Sequence, residues 1–334
     1  MSITAKKLAQ QLGLSEAAVS LALRNKSGVS ERTRQLVLKA AQESGYDFSK
    51  QYAQSAVRAN ITFMIYKRHG AVVMDTPFFF QVSEGISIAC KALHASLQIV
   101  YVYNQADIES QLKELAFSSC MGIIVLATEM TEKDFTPFFD ASIPFVLLDA
   151  YYDTVAANSI TINNIQGAYM ATDYMIQKYR QQPGYLHSSY HIANFDERAD
   201  GFYKAVRNSG LSSSRSIVHR LAPSVEGAYT DMCILLEQKD PLARCYFADN
   251  DLIAVGALRA FEKYGYQIPQ DIAIVGFDDL PTNDYAELPL TTVHVPKQYM
   301  GQLAVERLYQ ITQQKGTLPV RTAILTSMKV RQSG

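Results

Sequence analysis

The residues able to do chemistry in this 334-residue chain are thinly spread, and their spacing excludes more than it suggests. His187 and His191 sit four apart, which on a helix would put two imidazoles on one face, the beginning of a metal site. Their setting, His187-Ser188-Ser189-Tyr190-His191, reads as strand or loop and offers no third ligand, so no metal is expected. Cys90, Cys120, Cys233 and Cys245 lack CxxC spacing; two disulfides are open on arithmetic, but buried free thiols in a reducing compartment fit better. No GxGxxG follows a strand, and neither a GxxxxGK[ST] loop nor a GxSxG elbow is present. Asp278 and Asp279 are adjacent in sequence, so they need not face one substrate. No enzyme and no cofactor is expected.

What the chain offers instead is a basic head on an acidic body. Residues 1–60 hold nine Lys/Arg against four Asp/Glu, about +5, and the remainder is then about −6 within a total of −1. That asymmetry is the electrostatic footprint of a nucleic-acid-binding module attached to something else. The elements of the head agree. Thr4 can cap a helix with Leu8, Ala9 and Leu12 inward, broken at Gly13. Ser15 can cap a second, with Ala18, Val19, Ala22 and Leu23 as its stripe. Ser30 can cap a third, with Leu36, Val37, Ala40 and Ala41 inward and Gly45 as its stop. Three short amphipathic helices with a Gly-containing connection suit a helix-turn-helix; periodicity alone also fits a helical oligomerisation module.

From residue 60 onward apolar strands alternate with amphipathic helices. Strands are predicted at Ile61–Tyr66, Leu97–Tyr103, Met121–Ala127, Pro144–Leu148, Arg244–Ala248 and Ala273–Phe277, with helices such as Val82–Leu93 and Ile253–Tyr264 between them. The fold class is therefore α/β, with mostly parallel sheets covered on both faces. The pattern falls in two blocks, roughly 60–160 and 162–290, which predicts two similar lobes with a cleft between them. No run of about 18 apolar residues is present and the N-terminus lacks an apolar signal core, so no membrane contact and a cytoplasmic location are expected.

The head also carries a specific signature. Ser15-Glu16-Ala17-Ala18-Val19-Ser20-Leu21-Ala22-Leu23, then Asn25, Val29-Ser30, Thr33-Arg34, Val37 and Gly45-Tyr46 closely resemble the headpiece of the LacI/GalR (lactose-repressor) family. The resemblance continues through Pro77-Phe78-Phe79, Leu148-Asp149, Arg198-Ala199-Asp200-Gly201-Phe202, Asn250-Asp251, Val275-Gly276-Phe277-Asp278-Asp279 and the ending Val330-Arg331-Gln332-Ser333. It implies a headpiece over 1–46, a hinge linker over 47–60, and a two-lobed effector-binding and dimerisation domain over 61–334, folded like periplasmic sugar-binding proteins. The function implied is that of a DNA-binding regulator, a repressor, whose homodimer binds a double-stranded operator and answers to a small carbohydrate-like effector.

By the same resemblance Glu16, Ala17 and Leu21 would face base edges, while Thr4, Lys6, Ser15, Ser20, Asn25 and Arg34 belong to the DNA surface as caps and phosphate contacts. The cleft would be lined by Phe78, Phe79, Asp149, Arg198, Tyr229, Asn250 and Asp278, a set suited to a polyhydroxylated ligand. Carboxylate and amide oxygens accept from hydroxyls, a guanidinium donates in a planar fork, and aromatic faces cover the apolar side of a ring. Structural roles are open to the same residues: Phe78 and Phe79 as core, Asn250 as a helix cap, Arg198 as an ion-pair partner.

Two departures from the family pattern bear on DNA. Relatives usually carry arginine where Leu21 stands, and leucine offers only apolar contact, for instance to a thymine methyl. In the hinge, Ala53 or Ser55 stands where relatives place a leucine that wedges into the minor groove, with Val57 poorly spaced to replace it. Alternatives on sequence are a sugar-binding module whose headpiece no longer reads DNA specifically and a regulator that needs a protein corepressor. With no heptad run after Arg331, a dimer is expected rather than a tetramer.

Overall fold

The computed structural model of the chain describes residues 4–23, 28–44, 46, 60–73, 76–284, 287–314 and 316–334. Three helices come first, α1 (Ala5–Leu12), α2 (Glu16–Leu23) and α3 (Glu31–Glu43). Each starts at a hydroxyl. Thr4 Oγ1 accepts from the Lys7 N–H at 3.4 Å, Ser15 Oγ from Ala18 at 3.1 Å, and Ser30 Oγ from Thr33 at 3.1 Å. These caps satisfy N–H groups that have no partner within the helix. Gly13 ends α1 at φ 62°, a left-handed conformation that glycine adopts without strain. Leu8, Ala9, Val19, Ala22, Leu23, Val37 and Ala41 close a small core.

Leu36 departs from the expected pattern and is 52% exposed. At about 100° per residue the buried pair Val37 and Ala41 extends back to Arg34, and Leu36 falls off that stripe. Gly45 and residues 47–59, which hold Ala53, Ser55 and Val57, lie outside the described residues, as does Asn25.

A first lobe is built by β1 (Asn60–Tyr66), α4 (Pro77–Ala92), β2 (Ser96–Val102), α5 (Gln105–Ala116), β3 (Cys120–Leu126), α6 (Thr136–Asp140), β4 (Phe145–Leu148) and β5 (Ser159–Ile162). A second is built by α7 (Asn164–Tyr179), β6 (Gly184–Ser188), α8 (Ala193–Asn208), β7 (Val218–Leu221), α9 (Val225–Glu237), β8 (Cys245–Ala248), α10 (Asp251–Lys263), β9 (Ala273–Asp278) and β10 (Thr291–His294). The chain then returns. α11 (Lys297–Gln313) and β11 (Arg321–Ile324) join the first lobe, and β12 (Ser327–Lys329) the second. Three crossings, at 162–164, 294–297 and 324–327, therefore connect the lobes. The two blocks visible in sequence stop short of this return.

The sheet orders are β11-β5-β4-β3-β1-β2 and β12-β10-β9-β8-β6-β7, parallel throughout except for β12 against β10. Both follow one pattern, with the chain's first strand in each lobe flanked by its second and third. Covered on both faces, the central strands are continuous apolar runs: Ile61 to Tyr66 are all buried, as are the first five residues of β9. Glycines allow the closest helix contact. A Cβ on Gly301 of α11 would overlap the Val82 carbonyl oxygen of α4, and one on Gly85 would overlap the backbone of Gln298.

In such sheets a ligand crevice forms outside the carboxyl ends of the strands, where the connections leave in opposite directions. Here Val72 follows β1, Thr128 follows β3, Asp149 follows β4, Asn250 follows β8, and Asp278 ends β9. The fold thus aims five polar or apolar side chains from two lobes at one space.

Candidate functional site

That space is a narrow cavity of about 40 Å³, room for only a few water molecules in this structure. Phe78, Phe79, Asp149, Arg198, Asn250 and Asp278 all line it. Tyr229 does not. It lies on the outer side of α9, where Arg259 and Lys263 cover its ring at 5.1 and 5.4 Å. Its helix, α9, supplies no residue to the cavity; Tyr229 packs against the core of the second lobe instead.

Arg198, 3% exposed, organises the floor. Its Nε donates to Asn164 Oδ1 at 2.9 Å, one terminal nitrogen donates to the Asp249 carbonyl, and the other meets Asp278 Oδ1 at 3.2 Å. The guanidinium lies 3.8 Å from the centre of the Phe277 ring. This packing fixes the planar donor fork before any ligand arrives. Asp249 is itself held by the Ser188 N–H at 2.6 Å, by His187 Nδ1 at 2.7 Å and by the Tyr185 hydroxyl. His187 therefore belongs to this support, while His191 is exposed beside Asp196. No cluster of three metal-ligating side chains forms among the described residues.

Asp149 is the opposite case, a buried carboxylate left incomplete. Its Oδ2 accepts from Thr128 Oγ1 at 2.7 Å, and its Oδ1 has no hydrogen-bond partner among the described residues. Burial pushes its carboxyl up to about 6, with Asp278 adding and Thr128, Arg198 and Asn194 opposing. Asp278 is also raised by burial, against the pull of Arg198 and Lys297. Both sit at positive φ, 65° and 112°, strained backbone of the kind that gathers at binding sites. Asp279, its neighbour, points elsewhere: burial would raise its carboxyl, but Arg331 at 2.8 Å and His294 at 2.8 Å hold it low.

Asn250 keeps the structural role open to it, since its Oδ1 caps α10 by accepting from Ile253 N–H at 2.9 Å. It does so from the cavity wall, so cap and wall are one residue. Phe78 is nearly buried and meets Phe79 edge-on with centroids 5.0 Å apart. Sequence reasoning missed Thr128, Asn194 and Lys297. Thr128 follows a buried strand and could have been found by that rule. Lys297, 3% exposed, donates to the carbonyls of Asp279 at 3.0 Å and Val295 at 3.2 Å and to that of Asp278. Burial lowers its ammonium. It steadies the Asp278 turn from the returning segment, and nothing local in its sequence announces that.

In the head, the start of α2 is open. Ser15, Glu16 and Ala17 are exposed, Ser20 and Leu21 half-buried. Lys6 Nζ lies 3.9 Å from Glu16, both side chains largely exposed. Leu21 leans on the following turn, its Cδ1 3.2 Å from where a Gly28 Cβ would stand. Thr4 uses its hydroxyl as the α1 cap. Arg34, expected to reach phosphate, is turned inward with its side chain 13% exposed and 3.4 Å from Glu31.

A helix-turn-helix joined to a two-lobed cleft is the architecture of a ligand-responsive DNA-binding protein. Comparison with known proteins agrees. Residues 4–48 match the bacterial regulatory proteins of the lacI family, and residues 172–334 match the periplasmic binding protein-like domain. The HTH-type transcriptional regulator GalS of Salmonella typhimurium is 30% identical over 311 residues, covering 92% of this chain and 89% of its own. The transcriptional regulator CelR in its cellobiose complex shares the fold with a TM-score of 0.74 at 23% identity, over 99% of this chain and 100% of that one. The lac repressor dimer bound to operator and the anti-inducer ONPF does so at 0.73 and 22%, over 100% and 99%. The chain belongs to the LacI family. It is a DNA-binding transcriptional regulator, not an enzyme. No helix among the described residues is long and apolar enough to cross a membrane.

Proposed function

We propose that this regulator is a cytoplasmic homodimeric repressor controlled by a small polyhydroxylated effector, a sugar or sugar derivative, bound between its lobes. One observation carries the ligand class: the unpartnered Asp149 Oδ1, buried at the edge of a cavity that also presents the fixed donor fork of Arg198 and the carboxylate of Asp278. A buried acceptor without a donor is costly. A ligand hydroxyl supplies the donor, and a second hydroxyl can accept from Arg198. Phe78 and Phe79 offer the apolar wall that a sugar ring's C–H face requires. CelR holding cellobiose in the same fold supports the reading.

The dimer is supported by an apolar surface on the first lobe. Edge strand β2 leaves Ile99 and Tyr101 each 47% exposed, and α4 leaves Phe80 and Ile88 open beside it. The lac repressor, a dimer on its operator, has this fold. In a two-fold pair the two headpieces would meet half-sites of a palindrome, with Glu16, Ala17 and Leu21 facing bases and Lys6, Ser15, Ser20 and Asn25 facing phosphates. Effector binding alters the lobe arrangement, and by linkage DNA and effector then change each other's affinity equally.

The test is calorimetric titration of the full-length protein with aldohexoses, pentoses, β-linked disaccharides and, as a control without hydroxyls, adenine. A neutral polyol that binds wild type and fails to bind Arg198→Lys supports the reading. Binding of adenine alone overturns it.

A further inference from the structure

The residue after Thr128 makes the most fully satisfied carboxylate described in the first lobe, and neither DNA nor the cavity wall accounts for it. Glu129 is 4% exposed. Its Oε2 accepts from the backbone N–H groups of His69 at 3.1 Å and Gly70 at 3.0 Å, and its Oε1 from those of Val72 at 2.9 Å and Val73 at 2.9 Å. Burial would push this carboxyl up, but the four donors outweigh it and hold it below its ordinary range. The segment so gripped leaves β1 with no ladder to join, turning at Gly70 with φ 63°. Its backbone N–H groups would otherwise need water or one another.

What the segment does follows from its two ends. Val72 lines the effector cavity. His69, whose Nδ1 accepts from the Ala71 N–H at 3.1 Å, lays its ring 5.1 Å from that of Tyr190 in the second lobe. Tyr190 lies two residues before Ile192, which lines the cavity from the other side. The two lips of the cleft therefore touch, and Glu129 fixes one of them.

We propose that Glu129 is a positioning residue for the effector: by holding 69–73 it sets Val72 against the ligand, keeps His69 on Tyr190, and slows ligand escape. This rests on the effector-cleft reading above. A loop that must be ordered on binding weakens affinity, and the change falls mainly on the dissociation rate.

The experiment uses the full-length protein with Glu129→Gln, which turns one acceptor into a donor facing N–H groups, and Glu129→Asp, which keeps the charge on a shorter arm. Amide hydrogen exchange is followed across 67–73 without ligand, and dissociation of whichever sugar of the panel binds wild type is measured by competition. Glu129→Gln is expected to speed exchange at 69, 70, 72 and 73 about tenfold or more and to raise the dissociation rate by a similar factor, with Glu129→Asp intermediate. A merely structural role would lower Tm with exchange in 67–73 rising no more than elsewhere. Unchanged exchange there overturns the proposal, as does faster exchange with an unaltered dissociation rate. Should Glu129→Gln not fold, Glu129→Asp carries the same two readouts. If no panel sugar binds wild type, the ligand class is wrong, and the clamp stands or falls on the exchange of its four amides.

Discussion

Replacing Asp149 with asparagine should stabilise the ligand-free protein while destroying its effector site. The carboxyl is 3% exposed, makes one hydrogen bond through Oδ2, and has been driven from its ordinary 3.8 to about 6 by burial. At about 1.36 kcal/mol per pH unit that displacement corresponds to about 3 kcal/mol. Its sign follows from the proton: a carboxyl whose folded value is raised contributes stability fully present below about 4 and lost as pH rises through about 6. At pH 8 the wild type therefore carries the full cost of an ionised, half-satisfied group. Asparagine has no such charge, keeps an oxygen for Thr128 Oγ1, and tolerates the φ of 65°. Asp149→Asn should gain about 1 to 3 kcal/mol at pH 8, on the order of 5 °C in Tm, about a third of that at pH 4.5, and almost nothing near pH 3. Thermal melting of both proteins across that range, without ligand, is the assay. An equal Tm difference at every pH, or a loss at pH 8, would refute the reasoning.

Other expectations are simpler. Leu21→Arg should shift the selected operator toward guanine at the faced base pair, with about 1 to 3 kcal/mol of discrimination for a bidentate contact; unchanged base preference removes Leu21 from the reading surface. Gly301→Ala forces a Cβ into the Val82 carbonyl at the α4–α11 crossing, and denaturant titration should show a loss of about 3 kcal/mol. Ser30→Ala removes the α3 cap and should cost the headpiece about 1 kcal/mol, seen as earlier melting of its helical signal.

The parts of this molecule that were legible in the sequence are those set by local rules. Thr4, Ser15 and Ser30 each cap a helix because a hydroxyl stands just before an amphipathic stripe. Strands such as Ile61–Tyr66 and Ala273–Phe277 were visible as apolar runs, and Asp278 stood out because it ends one. Contacts between distant segments were not legible. Lys297 grips the Asp278 turn from a helix that begins 19 residues later, and Glu129 grips a loop 56 to 60 residues earlier. Neither spacing leaves a periodic trace. Leu36 failed because a rotation of one residue on an amphipathic helix decides which side chain is buried, and Tyr229 because its whole helix lies away from the cavity.

A dimeric repressor of this kind should change its hold on a palindromic site when a polyol fills the cleft. Selection of bound sequences from a random duplex library, by the full-length protein at fixed salt with and without each panel sugar, tests it most directly, because phosphate contacts alone would enrich nothing. An enriched palindrome is expected, with an affinity that shifts severalfold with one sugar and a shift abolished by Asp278→Ala. Sequence-blind binding under every condition, or a palindrome indifferent to all sugars, would contradict that expectation.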